Sequence, residues 1–299
     1  MKVQLRDPRC HAAVWDNGGE YEKTIMPPKR FSAESRIADY YFALRGSFGP
    51  QHWWPARTVF EVIVGAYLTQ NTSWTNVTKA MESLQAEGVL SVAGIRRTSV
   101  ETLEQLIRSA GYFRQKARAL KAFVTFLDER YRGSLKRMFA APTEGLRQEL
   151  LELRGVGPET ADSILLYAGQ HASFVVDAYT RRVLARHGLI SWKAKYDEIK
   201  TLCEEGLQEV PGQKLATGRR LDGNALAHPP SRMSLAERTP LAQVYNEMHG
   251  LLVSVGKRYC LKSRALCEQC PLQEYLPPGG PIMLEQPRGG GKAARLLGR

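Results

Sequence analysis

The sequence has no long hydrophobic run. Its most apolar stretch, residues 59–68, is interrupted by Glu61 and is far shorter than the roughly 20 apolar residues of a membrane-spanning helix. The first residues carry charges where a secretion signal would need an apolar segment. No internal repeat or heptad is visible, which excludes a repeat protein or a coiled coil. We therefore expect a cytoplasmic protein without a membrane partner.

Cysteine is scarce, with five in 299 residues. Cys10 and Cys203 stand alone, whereas Cys260, Cys267 and Cys270 have the spacing C-x6-C-x2-C. Such low cysteine content excludes a disulfide scaffold. In a reducing compartment, a local cluster of this kind indicates metal or iron–sulfur ligation before a disulfide.

Acidic residues are too few to balance the basic ones, and the net charge is +12. Residues 276–299 contribute +3 of this charge, which leaves +9 on the rest of the chain. A basic body favours a polyanion such as nucleic acid, although the needs of solubility alone would also explain the excess.

The sequence predicts an all-α fold. Residues 1–30, 211–240 and 277–299 are polar and rich in glycine or proline, so we expect a flexible N-terminal arm, a flexible insertion and a flexible basic tail. Only residues 174–176 look extended. Apolar residues recur at helical spacing elsewhere, predicting helices at about 32–46, 58–69, 75–86, 99–109, 113–131, 143–153, 159–168, 178–187, 195–208 and 241–257.

Two helical patterns are joined by a hairpin with glycines at 155 and 157. Glycine lets the backbone approach a partner closely, and the amides that open the next helix can bind an anion. The hairpin therefore fits a phosphate cradle, and it fits an ordinary corner between helices equally well.

Asp177 directly follows the apolar run 174–176 and precedes a predicted helix. A carboxylate at this point can be partly desolvated and still be held ionised by the helix N-terminus. Asp177 is therefore a candidate catalytic residue, while the simpler interpretation is a helix cap.

These segments together resemble the endonuclease III family of helix-hairpin-helix (HhH-GPD) DNA glycosylases. The pattern L-x-G-V-G-x-x-T-A at 153–161, followed by V-V-D at 175–177, carries the resemblance, which extends over about residues 53–272. It implies a base-excision-repair glycosylase that binds double-stranded DNA containing a damaged base, as a monomer associated with the nucleoid. In this family the aspartate that matches Asp177 is catalytic.

The same resemblance implies a two-lobed architecture. Residues 51–171 would form a six-helix barrel lobe that includes the hairpin. Residues 31–50 and 172–276 would form a second helical lobe.

The resemblance also implies DNA contacts. Gln70 and Asn71 lie in the loop L-T-Q-N-T, where Gln70 would enter the space left by a flipped base, and Lys116 lies in a G-x-x-x-x-K-A element that would meet phosphate. The alternatives are a helix C-cap for Gln70 and a solvated helix start for Lys116. With these residues we assign Gly155, Gly157 and Thr160 of the hairpin to DNA binding.

Bifunctional members of the family carry a lysine in the hairpin that forms a Schiff base with the sugar. The matching position here is Glu159, whose carboxylate cannot do so. The resemblance thus implies a monofunctional enzyme in which Asp177 stabilises an oxocarbenium-like sugar and orients a water.

A closer resemblance is to the 3-methyladenine branch of this family, and it rests on Trp53-Trp54-Pro55 and on the segment Gln243–Gly250. It implies that Trp53, Trp54 and Pro55 line the base pocket, where indole would stack on a cationic alkylated purine. Core packing is the alternative for both tryptophans. A glycosylase for an oxidised or mismatched base, and a non-catalytic damage-binding protein, are the rival functions.

The cysteine cluster departs from the family pattern. The iron–sulfur loop of the family has a fourth cysteine where this chain has Leu276, and four ligands are usual for such a cluster. A cluster held by Cys260, Cys267 and Cys270, an outside ligand such as Cys203, and loss of the metal all stay open. Nearby basic side chains would offset an anionic cluster, bind DNA phosphates or keep the surface soluble: Lys257, Arg258, Lys262 and Arg264.

Overall fold

The computed structural model describes residues 32–210 and 229–283, and in this part of the chain it confirms the all-α prediction. The only β-type pairing there is an isolated bridge between Cys260 and Ala265. No helix among these residues is long and apolar enough to cross a membrane. The helices are α1 (Ala33–Phe48), α2 (Val59–Leu68), α3 (Trp74–Ala86), α4 (Val92–Arg97), α5 (Val100–Leu106), α6 (Phe113–Tyr131), α7 (Leu135–Met138), α8 (Thr143–Leu151), α9 (Pro158–Ser163), α10 (Ala178–Arg186), α11 (Tyr196–Leu207) and α12 (Pro240–Arg258).

Helix α2 is the centre of the core. Eight of its ten residues are buried, as its uniformly apolar sequence predicts. It packs against α3, α6 and α9, and against a π-helical turn, Ile164–Ala168, that continues α9. Gly65 of α2 lets the Trp54 ring approach, since a Cβ at this position would lie 3.2 Å from Trp54 Cζ2.

A second group of helices packs around α12. Helix α1 contacts α11 and α12, although it precedes the other helices in sequence, and α10 lies along α12. This is the arrangement that a second lobe made from both sides of the barrel segment requires. The lobe boundaries at 51–171 and at 31–50 plus 172–276 stay a prediction.

The prediction of a flexible insertion is wrong for its last residues. Met233 and Ser234 are buried, and the Met233 amide donates to Ala56 O at 3.1 Å. The hydroxyl of Ser231 lies 3.3 Å from Trp54 O. The segment 229–240 is therefore held by backbone and hydroxyl hydrogen bonds beside the Trp-Trp-Pro element.

The predicted basic tail also begins in ordered structure. The Ile282 amide donates to Arg186 O at 2.8 Å, so residues 277–283 are attached to the end of α10. The predicted arm 1–30, residues 211–228 of the insertion and residues 284–299 of the tail lie outside the described residues, as does Cys10.

Candidate active site

Asp177 is the N-cap of α10. Its Oδ1 accepts a hydrogen bond from the Thr180 amide at 2.7 Å, and its side chain is only 13% exposed. Burial alone would raise the pKa of this carboxyl, but His249 and the Thr180 amide outweigh it, so that the pKa lies below the ordinary value. Asp177 is therefore a buried carboxylate that stays ionised at neutral pH.

His249 of α12 and Tyr167 of the π-helical turn complete a chain of polar groups behind Asp177. The His249 Nε2 atom lies 3.6 Å from Asp177 Oδ2, and Nδ1 of the same ring lies 2.6 Å from the Tyr167 hydroxyl. The sequence indicates His249 only as one residue of the 243–250 motif and gives no role for its side chain. Its partnership depends on the packing of α12 against the π-helical turn, which the sequence does not display.

Glu159 lies in the first turn of α9, near enough to Asp177 for their charges to interact. Desolvation of its carboxyl and the negative charge of Asp177 raise the pKa of Glu159 to about 7, while His249 lowers it. The residue keeps an exposed surface, so water weakens these effects without reversing their direction. Two carboxyls at the site therefore differ in protonation near neutral pH.

An aromatic wall adjoins these groups, defined here as Trp53, Trp54, Trp74 and Tyr167. The Trp54 ring lies 5.3 Å from the rings of both Trp74 and Tyr167, and Trp53 makes an edge contact with His249 at 5.9 Å. Trp54 is only 7% exposed, so packing is one of its roles. Trp74 was missed by sequence reasoning, because a single tryptophan at a helix start carries no signal.

The predicted pocket residues thus differ in exposure. Trp53 and Pro55 are half-buried, and Trp54 is buried. A base that entered this site would meet Trp53 more readily than the covered faces of Trp54.

The hairpin brings several predicted DNA-binding residues together. The Gln70 side-chain amide donates to Gly155 O at 2.9 Å and to Thr160 Oγ1 at 2.8 Å. Gly155 has a φ of +82°, and a Cβ there would lie 3.3 Å from Ala119 Cβ, so this position requires glycine. Gly157 faces open space, and Asn71 is exposed in the loop beside Gln70.

Lys116 has a different role from the one predicted for its side chain. The residue is 4% exposed, and its ammonium donates to the carbonyls of Leu68, Gln70 and Ala110 at 2.8–2.9 Å. An ammonium has three donors, and all are taken. Burial lowers the pKa of Lys116 to about 8. The side chain anchors the Gln70 loop and has no donor left for a phosphate.

A buried ion pair joins α8 to α9, and Ser173 attaches the segment before Asp177 to the same carboxylate. Arg147 of α8 donates to both oxygens of Asp162 at 2.9 and 3.2 Å. Ser173 donates to the same carboxylate at 2.6 Å. The hairpin helix and the segment that leads to Asp177 therefore share one buried anchor.

The cysteine loop lies at the opposite end of α10 from Asp177. Arg186, the last residue of α10, donates from Nη1 to Cys260 Sγ at 3.2 Å and to Leu261 O at 2.8 Å, and from Nη2 to Lys262 O at 3.1 Å. No group of three His, Cys, Asp or Glu side chains among residues 32–210 and 229–283 is placed to hold a metal ion. Leu276 offers no fourth ligand. The four-ligand set of the family pattern is therefore incomplete among the described residues, although Cys260, Cys267 and Cys270 lie near enough for their charges to interact.

Comparisons with known proteins agree with this architecture. The model of the HhH-GPD superfamily of base excision DNA repair proteins matches residues 64–209. A Methanocaldococcus jannaschii protein, named as a candidate DNA repair glycosylase, is 41% identical over 80% of this chain and 94% of its own length.

Two solved structures share the fold. An H. pylori 3-methyladenine DNA glycosylase bound to 1,N6-ethenoadenine has a TM-score of 0.59 and 28% identity, and the match covers 76% of this chain and 98% of that one. A non-covalent endonuclease III–DNA complex has a TM-score of 0.58 at 21% identity, with 81% and 92% covered. The chain therefore belongs to the HhH-GPD superfamily of base excision DNA repair proteins and is an enzyme of the DNA glycosylase class.

Proposed function

We propose that this glycosylase is monofunctional and hydrolyses the N-glycosidic bond of an alkylated purine, such as 3-methyladenine, in double-stranded DNA. The observation that carries the proposal is that Asp177 is ionised and that the carboxyl near it, Glu159, occupies the position of the Schiff-base lysine in bifunctional enzymes of the family. The site thus has a carboxylate to stabilise a sugar cation and no amine at that position to attack it.

In the proposed reaction the bond between C1′ and the base nitrogen breaks, and its electrons leave with the base. An alkylated purine is already cationic, so it departs neutral without a general acid. The negative charge of Asp177 stabilises the developing positive charge on the sugar. Water then adds to C1′, and its proton passes to Asp177 and from there to solvent.

The aromatic wall supports the choice of an alkylated base. A cation on the face of an indole gains roughly 0.5–2 kcal/mol over a neutral ring. Trp53 is the half-buried member of the wall beside His249. The H. pylori protein with 28% identity is a 3-methyladenine DNA glycosylase, which supports the same substrate class here.

Arg238 favours a second candidate, a glycosylase for an uncharged lesion such as an oxidised or mismatched base. Its guanidinium donates to Met233 O at 2.7 Å. Its positive charge lowers the pKa of Tyr167 in the aromatic wall, against the larger effect of burial. A positive charge beside the wall opposes a cationic base. The two candidates therefore differ in the net charge of the base they release.

Duplexes that each carry one lesion test the proposal. Methylated DNA should release 3-methyladenine, and strand breaks should appear only after hot alkali. Release of an oxidised or mismatched base in its place would support the second candidate, and tight binding without release of any base would indicate a damage-binding protein.

Borohydride tests the absence of a lyase. We expect no covalent trapping of the wild-type protein on lesion DNA, whereas Glu159→Lys should trap because it restores an amine at the hairpin. Substantial trapping of the wild type would show that another amine forms the Schiff base, and the enzyme would be bifunctional.

A further inference from the structure

His249 is held on one side by a buried tyrosine. The Tyr167 hydroxyl lies 2.6 Å from His249 Nδ1, and burial raises the pKa of Tyr167 well above the ordinary value, so the phenol keeps its proton. A protonated phenol donates its hydrogen bond to Nδ1. A neutral His249 ring must then carry its own proton on Nε2.

The other side of the ring faces the catalytic carboxylate. Among the described residues the buried His249 Nε2 atom has no hydrogen-bond partner, and its nearest acidic oxygen is Asp177 Oδ2 at 3.6 Å. A buried donor without an acceptor is destabilising, so a partner for Nε2 is favoured. A shift of less than 1 Å would bring the two atoms to the usual N···O distance of about 2.9 Å.

We propose that His249 is a positioning residue for Asp177, which donates from Nε2 to Asp177 Oδ2 and holds the carboxylate ionised and oriented toward the sugar. The inference rests on the catalytic role proposed above for Asp177. The Thr180 amide already binds Oδ1. Because a carboxylate accepts about four hydrogen bonds, both oxygens keep lone pairs free for water and for the sugar cation.

The local backbone supports this assignment independently. Tyr167 lies in the π-helical turn Ile164–Ala168, and π-turns within α-helices occur frequently at functional sites. In this turn Tyr167 contacts both Trp54 and His249. One residue thus links the aromatic wall to the histidine that faces Asp177.

Charged and titratable groups around His249 come from several elements. Asp177 is the N-cap of α10, and Tyr167 lies in the π-helical turn. Glu159, in α9, is near enough to His249 for their charges to interact. Arg238 acts on Tyr167, and the Trp53 ring packs on the imidazole. Among the described residues, the Thr180 hydroxyl is a second buried donor beside Asp177, but it lies on the Asp177 side of α10, whereas His249 reaches Asp177 Oδ2 from α12.

The test compares two Tyr–His pairs. Tyr40 and His187 form the matched control, because they are buried and their hydroxyl and Nδ1 atoms lie 2.8 Å apart, without Asp177 as a neighbour. The variants are His249→Phe, His249→Gln and Tyr167→Phe at the site, and His187→Phe and Tyr40→Phe at the control. Single-turnover release of 3-methyladenine from methylated duplex DNA is measured from pH 3 to 8.

The pH profile separates positioning from packing. His249 lowers the pKa of Asp177, so its loss should move the acid limb of the rate to higher pH and slow release several-fold at pH 4 relative to release at pH 7. His249→Gln keeps an amide donor and should recover part of the shift. His187→Phe should lower the melting temperature without moving the limb, and affinity for an abasic-site analogue should change less than about twofold in every variant.

A second readout needs no substrate. Carbon-13 NMR of aspartate-labelled protein, assigned with Asp177→Asn, follows the Asp177 carboxyl directly. Its pKa should rise in His249→Phe and, to a smaller extent, in Tyr167→Phe, which loses only the hydroxyl.

Each result decides between the proposals. A folded His249→Phe protein with the wild-type acid limb and the wild-type Asp177 titration would overturn the inference. If that variant does not fold, unchanged values in Tyr167→Phe would overturn it. Wild-type release by Asp177→Asn would remove the proposed catalytic role itself, whereas an inactive Asp177→Asn beside a normal His249→Phe would remove only the positioning role.

Discussion

The two ends of α10 use polar groups in opposite ways. At its start, Asp177 lies beside a buried His249 nitrogen that has no partner among the described residues. At its end, the terminal nitrogens of Arg186 are hydrogen-bonded to Cys260 Sγ and to backbone carbonyls of the cysteine loop. The first end keeps unused hydrogen-bonding capacity in a partly open site, as a site that must receive a ligand does. At the second end Arg186 Nε also lacks a partner among the described residues, but the other two guanidinium nitrogens hold the cysteine loop.

The electrostatics of α10 suit both arrangements. A helix N-terminus favours a negative group and a C-terminus a positive one, so Asp177 and Arg186 each occupy the favourable end. The difference lies in the partners. Asp177 has the amide and the hydroxyl of Thr180 beside it and a more distant histidine, while the Arg186 guanidinium is enclosed by the loop at 260–264.

The largest effect should come from Asp177→Asn. The amide keeps the size of the side chain and removes the charge that stabilises the sugar cation, so single-turnover base release should fall at least about a hundredfold. Affinity for lesion DNA should stay within a few-fold, because the carboxylate does not bind phosphate. Arg186→Met is the opposing control, since base release per folded molecule should be unchanged. If Asp177→Asn released the base at the wild-type rate, Asp177 would have only a structural role, as Arg186 has at the other end of α10.

A smaller effect, on stability, should come from Arg186→Met. This change removes the guanidinium of a residue that is only 3% exposed and leaves the part-buried Leu261 and Lys262 carbonyls without their donor, which should lower the free energy of unfolding by about 1.5–3 kcal/mol. Arg96→Met is the matched control, because the Arg96–Asp128 pair is exposed and is worth no more than about 1 kcal/mol. Urea denaturation measures both. Equal losses would mean that Arg186 is no anchor.

Local motifs made half of the site predictable. Asp177 as a cap, Gly155 at a positive φ and Glu159 in the first turn of α9 each depend on a few neighbouring residues. The long helices were also predictable from apolar periodicity, because the residues on the buried face of a helix recur every three to four positions.

Residues whose role depends on distant contacts were not predictable. Lys116 carries the charge expected of a phosphate ligand, yet its three donors are all bound to backbone carbonyls, those of Leu68, Gln70 and Ala110. His249 and Tyr167 are 82 positions apart. The polar segment 229–240 has the composition of a flexible insertion, but Met233 and Ser231 attach it to the Trp-Trp-Pro element.

The smallest effect should come from Cys267→Ser. If the loop at the end of α10 is held by Arg186 rather than by metal, a partly exposed thiol can become a hydroxyl with less than about 0.5 kcal/mol lost. Cys203→Ser is the contrasting control, since Cys203 is fully buried and a hydroxyl there should cost about 1–3 kcal/mol. Anaerobically purified wild-type protein should be colourless, with no stoichiometric iron or zinc by elemental analysis. Brown protein whose iron disappears in Cys267→Ser would show that three thiolates hold a cluster despite Leu276. The cysteine loop at the end of α10 would then bind a cofactor, and both ends of the helix would have a function beyond holding the fold.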